Sequence, residues 1–384
     1  MYNPIQRQLI SPNSPMLAFK SGGLQAHDSV FWSSKRMNYS PRKGLLCLAF
    51  VIGCLLPAGI FATNSTFNPV KGPVIQNVRS DRATVNWVTY EGAEKVHSVE
   101  ITGLEAGTRH DIDMKKYGVD ARVSFNTPPA DPKPFSFVVF GDTRSRHEVH
   151  KRIVSLIMKE HASFVIHTGD LVGNGNSESD WTRFFEIERD LLRTAAFYPV
   201  LGNHERNAKV YYEYFSFPEG NGRRYSFDWG TAHFAALDTN DSGEVSFHDD
   251  IRWLKNDLAR NKKPLTFVVF HHPLYTAVES RRGAAANLAA MLEPTLLAGR
   301  VTAVFGGHDH NYQHHMKDGI HYIVAGGGGA PLYDVSPISG LTLKVAKIEN
   351  FVRVRVTGDK AQVDAVDIEG NLLESFELEP AMLP

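Results

Sequence analysis

Thiols are nearly absent: 384 residues contain two cysteines, Cys47 and Cys54, and both lie inside one apolar stretch. If that stretch is cleaved, the mature chain can form neither a disulfide nor a thiolate zinc site. An excess of charge of either sign is missing as well. The formal net charge of −1 gives no electrostatic case for nucleic-acid or anionic-membrane binding. No internal repeat or low-complexity tract is found, and the four glycines Gly326 to Gly329 are not followed by the Gly-Lys-Ser/Thr of a Walker-type phosphate loop.

What is present begins with the run Gly44 to Ala62, preceded by Lys35, Arg36, Arg42 and Lys43 and broken by Pro57. A basic flank, an apolar core and a small residue after Ile60-Phe61 describe an export signal, placing the protein in a periplasm or outside the cell. The other reading is an uncleaved anchor, the length being just enough to span a bilayer; only then would a membrane be a partner. Residues 1–43 form a polar extension ahead of the run, of which the stretch Met1 to Arg36 is not needed by a signal, and initiation at Met37 would give one of ordinary shape. Val51-Ile52-Gly53-Cys54 passes as a lipoprotein box, but the apolar residues continuing to Phe61 argue against lipidation.

Residues 67–129 have a different texture. Val74 to Val78, Ala83 to Val88, Val96 to Thr102 and Val119 to Phe125 are short alternating runs between turn residues, the pattern of a small antiparallel β domain. Pro128-Pro129-Ala130-Asp131-Pro132 reads as a linker to a second domain over 132–384. With 42% hydrophobic content there is material for about two domains and one large core.

In the second domain, five apolar runs end at a potential metal ligand. Phe135 to Phe140 leads to Asp142, Phe164 to Ile166 to Asp170, Phe197 to Leu201 to Asn203, Leu265 to Phe270 to His271, and Val301 to Phe305 to His308. Such near-continuous runs read as buried strands. Between them, Val149, Ile153, Leu156 and Ile157, and then Ile251, Leu254 and Leu258, follow helical spacing. Ligands at the carboxyl ends of strands in an α/β sheet converge in space. After the last motif, Leu341 to Val345, Phe351 to Val356 and Ala361 to Val366 read as strands, with Gly358-Asp359-Lys360 as a hairpin turn.

Any single Asp, Asn or His at a strand end also reads as a turn former or helix cap. The series is what is informative. Gly141-Asp142, Gly169-Asp170, Gly202-Asn203-His204-Glu205, His271-His272-Pro273 and Gly307-His308-Asp309-His310 resemble, in that order, the calcineurin-like metallophosphoesterase superfamily and its purple acid phosphatase-like secreted members, over roughly Pro132 to Val356. Ala83 to Trp87 and Ile101 to Thr108 resemble the fibronectin type III-like module that precedes the catalytic domain in purple acid phosphatases, shortened after Glu94.

The resemblance implies a four-layer α/β (α+β) β-sandwich flanked by helices, preceded by a small all-β sandwich-like domain. It implies two divalent or di/trivalent metal ions (Fe, Zn or Mn), with Asp170 bridging, Asp142 and His310 on the first, and Asn203, His271 and His308 on the second. His271 is taken as ligand because the family's His stands two residues before Pro. His272 then reads as a loop residue or a support behind the ligands. His204 would stabilise the phosphoryl group or protonate the leaving oxygen, with Glu205 orienting His204 or its loop.

Two departures matter. Arg144 stands where many members carry an Asp-x-His histidine, and Gly173 where purple acid phosphatases carry a tyrosine. The first metal therefore lacks an evident fourth protein ligand, leaving water, a substitute such as His147, His150, Asn174 or Asn176, or a weak site. Without the tyrosinate, no purple charge-transfer colour is expected. Arg144 itself reads either as a bidentate phosphate grip or as a surface ion-pair residue. Tyr312 is expected to wall the substrate pocket, and His314 and His315 to stand at its rim.

The expected function is hydrolysis of small phosphate monoesters by a metal-activated water. A phosphodiesterase or nucleotide hydrolase on the same metals is the alternative, and a non-catalytic surface binding protein with a degenerate metal site is the second.

Overall fold

Strand-by-strand alternation of apolar side chains builds the core. The computed structural model describes residues 67–381, except 131, 219, 220, 242 and 244. The expected polar extension and export segment, 1–43 and 44–62, lie outside the described residues. Among those described, no helix is long and apolar enough to cross a membrane.

Five strands come first: β1 (Lys71–Gln76), β2 (Arg82–Tyr90), β3 (Glu94–Thr102), β4 (Arg109–Asp113) and β5 (Arg122–Asn126). β1 to β3 form one antiparallel sheet, and β4 pairs with β5. There follow β6 (Phe135–Phe140), α1 (His147–Ile157), β7 (Phe164–His167), α2 (Glu178–Leu192), β8 (Ala196–Pro199), α3 (Lys209–Tyr214), β9 (Arg224–Trp229), β10 (Ala232–Leu237), α4 (Val245–Arg260), β11 (Leu265–Val269), α5 (Arg282–Ala298) and β12 (Ala303–Gly306). The chain ends with β13 (Tyr312–Lys317), β14 (Ile320–Ala325), β15 (Thr342–Ala346), β16 (Asn350–Thr357), β17 (Lys360–Asp367) and β18 (Leu372–Leu378).

Two large sheets result, one of order β15-β13-β14-β12-β11-β10-β9 and one of order β18-β17-β16-β6-β7-β8. On β6, Phe135, Phe137 and Val139 enter the core shared with β11 and β12, while Val138 and Phe140 pack with α1 and α2 residues such as Ile153 and Phe184. On β11, Phe267 and Val269 enter the shared core, and Val268 packs with Leu254 and Leu292 of α4 and α5. A period of two with both faces apolar is what a strand between a sheet and a helix layer requires. The layers are therefore helix, sheet, sheet, helix, an α/β (α+β) sandwich. Phe137 anchors the interior, stacked on Phe164 at 5.2 Å and edge-on to Phe234 at 5.1 Å.

The amino-terminal strands share this core: Ile75, Val85, Trp87, Val123 and Phe125 belong to the same buried cluster as Phe137 and Phe267. Polar ties reinforce the contact. Asn86 Nδ2 donates to Tyr214 O at 3.1 Å and Ser124 N to Arg193 O at 2.8 Å, while the buried Lys71 ammonium contacts Glu94 and Glu178.

β6, β7 and β8 run parallel, as do β10, β11, β12 and β14. Their carboxyl ends share one edge of the sandwich, and the motif loops leave from that edge.

The sequence reading missed β13 as a strand. Tyr312 lies on it fully buried in the shared core, with its hydroxyl donating to Glu374 Oε2 at 2.6 Å. It is not a pocket wall, because the chain re-enters the sheet directly after the Gly-His-x-His loop. His314 and His315 are buried for the same reason. His314 lies 3.0 Å from Glu374 Oε1 and stacks on Phe376, and His315 contacts Gln313 and Thr342.

Candidate metal centre

Four side chains meet at the second-metal position. His271 Nδ1 lies 2.8 Å from Thr168 O and so carries its proton there. Its Nε2 lone pair then faces Asn203 Oδ1 at 3.1 Å and Asp170 Oδ1 at 3.4 Å. His308 Nδ1 stands 3.1 Å from Asn203 Oδ1 and 3.3 Å from His271 Nε2. An imidazole lone pair, an amide oxygen and a carboxylate oxygen converge there, and Asp170 Oδ1 also accepts the His204 N–H at 3.0 Å. With His308 neutral and its Nδ1 lone pair turned inward, this is a donor set that suits a cation.

On the other side of Asp170, His310 Nδ1 is 2.7 Å from Pro331 O, which leaves Nε2 directed to Asp142 Oδ1 at 3.5 Å. Asp142 Oδ2 accepts the His308 N–H at 2.9 Å, but Oδ1 is buried without any hydrogen-bond partner. A buried orphan carboxylate oxygen is costly. The donor types, carboxylate, imidazole and amide, suit borderline and hard cations, so the residues present fit a metal pair. Burial drives the Asp142 carboxyl well above its usual range, and the neighbouring Asp170 adds to this. Burial also lowers the imidazoles of His271 and His308, and takes His310 down to about 4. Neutral imidazoles are the form that binds metal.

The loops are held in unusual backbone geometry. Asp142, Asp170 and His308 have positive φ of 58°, 56° and 67°. A side chain at Gly169, at φ 96°, would come within 2.7 Å of Gly202 N and His271 Nδ1, so the strand end approaches its neighbours only as glycine. At Gly326 a side chain would meet Asp309 O and Asp142 Oδ2; the glycine-rich turn is a close approach to the site.

His204 is half-buried. Its Nδ1 is 2.8 Å from Gly173 O, which leaves Nε2 toward Asp170 Oδ2 at 3.9 Å. Glu205 is fully buried and holds the loop rather than the His204 ring, accepting the N–H groups of Gly202, Asp170 and Val172 at 2.7, 2.9 and 3.2 Å. Burial pushes its carboxyl up to about 8, and Asp170 contributes. His272 stands beside the ligands with Nδ1 2.9 Å from Thr239 Oγ1 and its ring 4.4 Å from that of His308. Burial lowers it to about 3.

Arg144 is not a surface residue. Its side chain is 18% exposed and its Nε lies 3.4 Å from Asp170 Oδ2. The candidate substitutes for the missing ligand are elsewhere: His150 is paired with Glu188 at 2.6 Å, Asn174 Oδ1 accepts the Asn176 N–H, and His147 and Asn176 are exposed.

Three supporting residues escaped the sequence reading. Arg281 Nη1 donates to His308 O and Asp309 Oδ1, both at 2.6 Å, and its guanidinium covers Tyr333 at 4.5 Å. Tyr333 stacks on His310 at 4.3 Å, and the fully buried Asp309 also accepts from Thr276 and Gln313. The adjacency of Asp309 to both histidines was the available signal; Arg281 lies between motifs and gave none.

A cavity of about 240 Å³ opens beside His308, lined by Thr239, Asn240, His272, Arg281, Ala285 and Leu288 among others. A larger one, of about 590 Å³, lies against His233, Asn77 and Pro129 and holds none of the site residues.

Comparison with known proteins agrees with this geometry. Residues 135–312 match the calcineurin-like phosphoesterase family. The chain is 28% identical over 236 residues to purple acid phosphatase 21 of Arabidopsis thaliana, covering 57% of this chain and 53% of that protein. It is 28% identical over 212 residues to tartrate-resistant acid phosphatase type 5 of Rattus norvegicus, covering 46% and 64%. The fold matches a purple acid phosphatase from yellow lupin (Lupinus luteus) seeds with a TM-score of 0.66 at 16% identity, over 79% of this chain and 73% of that one. Over residues 135–312 the chain matches a calcineurin-like phosphoesterase domain. Within that class its fold is that of the purple acid phosphatases, and it spans 53% of the length of the Arabidopsis relative.

Proposed function

We propose that the protein is an exported, metal-dependent phosphatase that hydrolyses small phosphate monoesters at a dinuclear centre. The observation that carries this reading is the unpartnered buried Asp142 Oδ1 beside the convergence of Asp170 Oδ1, Asn203 Oδ1 and His271 Nε2. Asn203, His271 and His308 would hold one ion, Asp142 and His310 the other, and Asp170 would lie between. When bound, such ions lower the pKa of a water and withdraw charge from phosphoryl oxygens.

The chain's own groups divide the remaining work. His204 Nε2 faces the open side of Asp170, fixed by the bond at Nδ1, and in its protonated form donates to the phosphoryl or leaving oxygen. Arg144 reaches the same side and offers a guanidinium fork to phosphate oxygens. Glu205 keeps the Gly169-Asp170 and Gly202-Asn203 loops in register, and Arg281 with Asp309 fixes the backbone between His308 and His310.

The cavity beside His308 has room for one ester substituent, with Ala285 and Leu288 as an apolar wall and Thr239 and Asn240 as polar groups. This supports the monoester reading over the diesterase. The test is turnover of p-nitrophenyl phosphate against bis-p-nitrophenyl phosphate; preference for the diester overturns the monoesterase assignment. The amino-terminal strands fit a shortened fibronectin type III-like module that leans on the catalytic sheets.

A further inference from the structure

The fixed charge beside Asp170 lies on one of its carboxylate oxygens. Oδ1 accepts the His204 N–H at 3.0 Å and faces His271 beside the Asn203–His308 pair, with no Lys or Arg among them. Oδ2 faces His204 Nε2 at 3.9 Å and, closer, Arg144 Nε at 3.4 Å. That Nε is buried and, by geometry, makes no hydrogen bond, so the contact is one of charge. The same guanidinium acts electrostatically on Asp142 and on His310, the two donors of the first-metal position.

We propose that Arg144 is a built-in cation that competes with the first metal, so that the chain loads its two positions unequally. One ion binds tightly at Asn203, His271 and His308, and the second enters the Asp142–His310 side against the guanidinium. The inference rests on the metal reading of this site but not on any hydrolysis. Guanidinium is not deprotonated in proteins, so pH cannot relieve the competition. The loop is also fixed, because Thr143 N donates to Asp170 O at 3.1 Å and Asp142 N to Gly169 O at 3.0 Å; only rotation of the side chain moves the charge away. Like charges a few ångströms apart in a partly buried site repel strongly enough to weaken binding by roughly tenfold or more.

The test is a Zn²⁺ titration of the metal-free protein, followed by calorimetry with elemental analysis, for wild type, Arg144→Gln, Arg144→Lys and Arg144→His. Wild type is expected to take one tight equivalent and a second at least about tenfold weaker. Arg144→Gln should tighten only the second, by a similar factor, and Arg144→Lys should keep the inequality because it keeps a charge. Arg144→His, which removes the fixed charge and adds a donor, should equalise the two even if Arg144→Gln folds poorly. Two equal equivalents in wild type, or an unchanged second equivalent in both neutral variants, overturns the proposal. Unequal loading without phosphatase activity would sink the proposed function alone, and equal loading with activity would sink this inference alone.

Discussion

The backbone N–H of Asp170 donates to Glu205 Oε2 at 2.9 Å, so the central carboxylate of the site is placed by a second carboxylate that points at main chain rather than at substrate. Removing Glu205 leaves three buried N–H groups without acceptors. Glu205→Ala is expected to weaken metal binding tenfold to a hundredfold, the usual scale for groups that orient ligands, with a fall in thermal stability. Metal titration and thermal unfolding check both, and unchanged metal affinity would remove Glu205 from the site's support.

His204 is the group whose loss should affect turnover without affecting metal. With Nδ1 committed to Gly173 O, His204→Ala is expected to lower kcat by roughly 10²–10⁴ while metal content stays at the wild-type value. Loss of metal along with activity would make His204 a ligand instead.

Arg281 neutralises Asp309, which is fully buried under the His308–His310 loop. Arg281→Ala leaves that carboxylate unpaired, and a buried charge stripped of its partner destabilises by about 3–5 kcal/mol. Denaturant unfolding measures the loss. Arg281→Ala combined with Asp309→Asn should recover part of it; if the double variant is no more stable than the single, the pair is not the cause.

His233 provides a pH signature away from the metal residues. Burial lowers its pKa, but contacts with Asp228 and Asp257 at 2.7 and 2.8 Å overcome this and raise it from 6.5 to about 9. A raised folded-state pKa stabilises fully below the unfolded value and is lost as pH rises through the folded one. The stability difference between wild type and His233→Gln should therefore be greatest below pH 6.5, up to roughly 3 kcal/mol, and should shrink between there and pH 9. A difference independent of pH would contradict the charged pair.

The strands that bear ligands were legible because both of their faces are apolar and each is followed closely by a donor, after a glycine in every case but β11: β6 was read to its observed limits, Phe135–Phe140. The helical faces of α1 and α4 were legible from Ile153, Leu156 and Leu254. β13 was not, since Tyr312 to His315 is a polar string whose burial depends on partners distant in sequence, Glu374 for Tyr312 and His314, and Thr342 for His315. β18 was missed too; its exposed edge position leaves it without a continuous apolar run. Within the site, residue types announced the donors, but not that Arg144 turns inward onto Asp170 or that Arg281, just ahead of α5, supports the loop. Both are long-range contacts of charged side chains, which no local pattern encodes.

Asp170 decides the central claim. We would measure metal content by elemental analysis at saturating Zn²⁺, together with p-nitrophenyl phosphate hydrolysis, for wild type and Asp170→Ala. The account predicts about two ions per wild-type chain, fewer in Asp170→Ala, and turnover abolished by the substitution. At most one ion in wild type with no turnover would contradict it and leave a binding protein with a degenerate site.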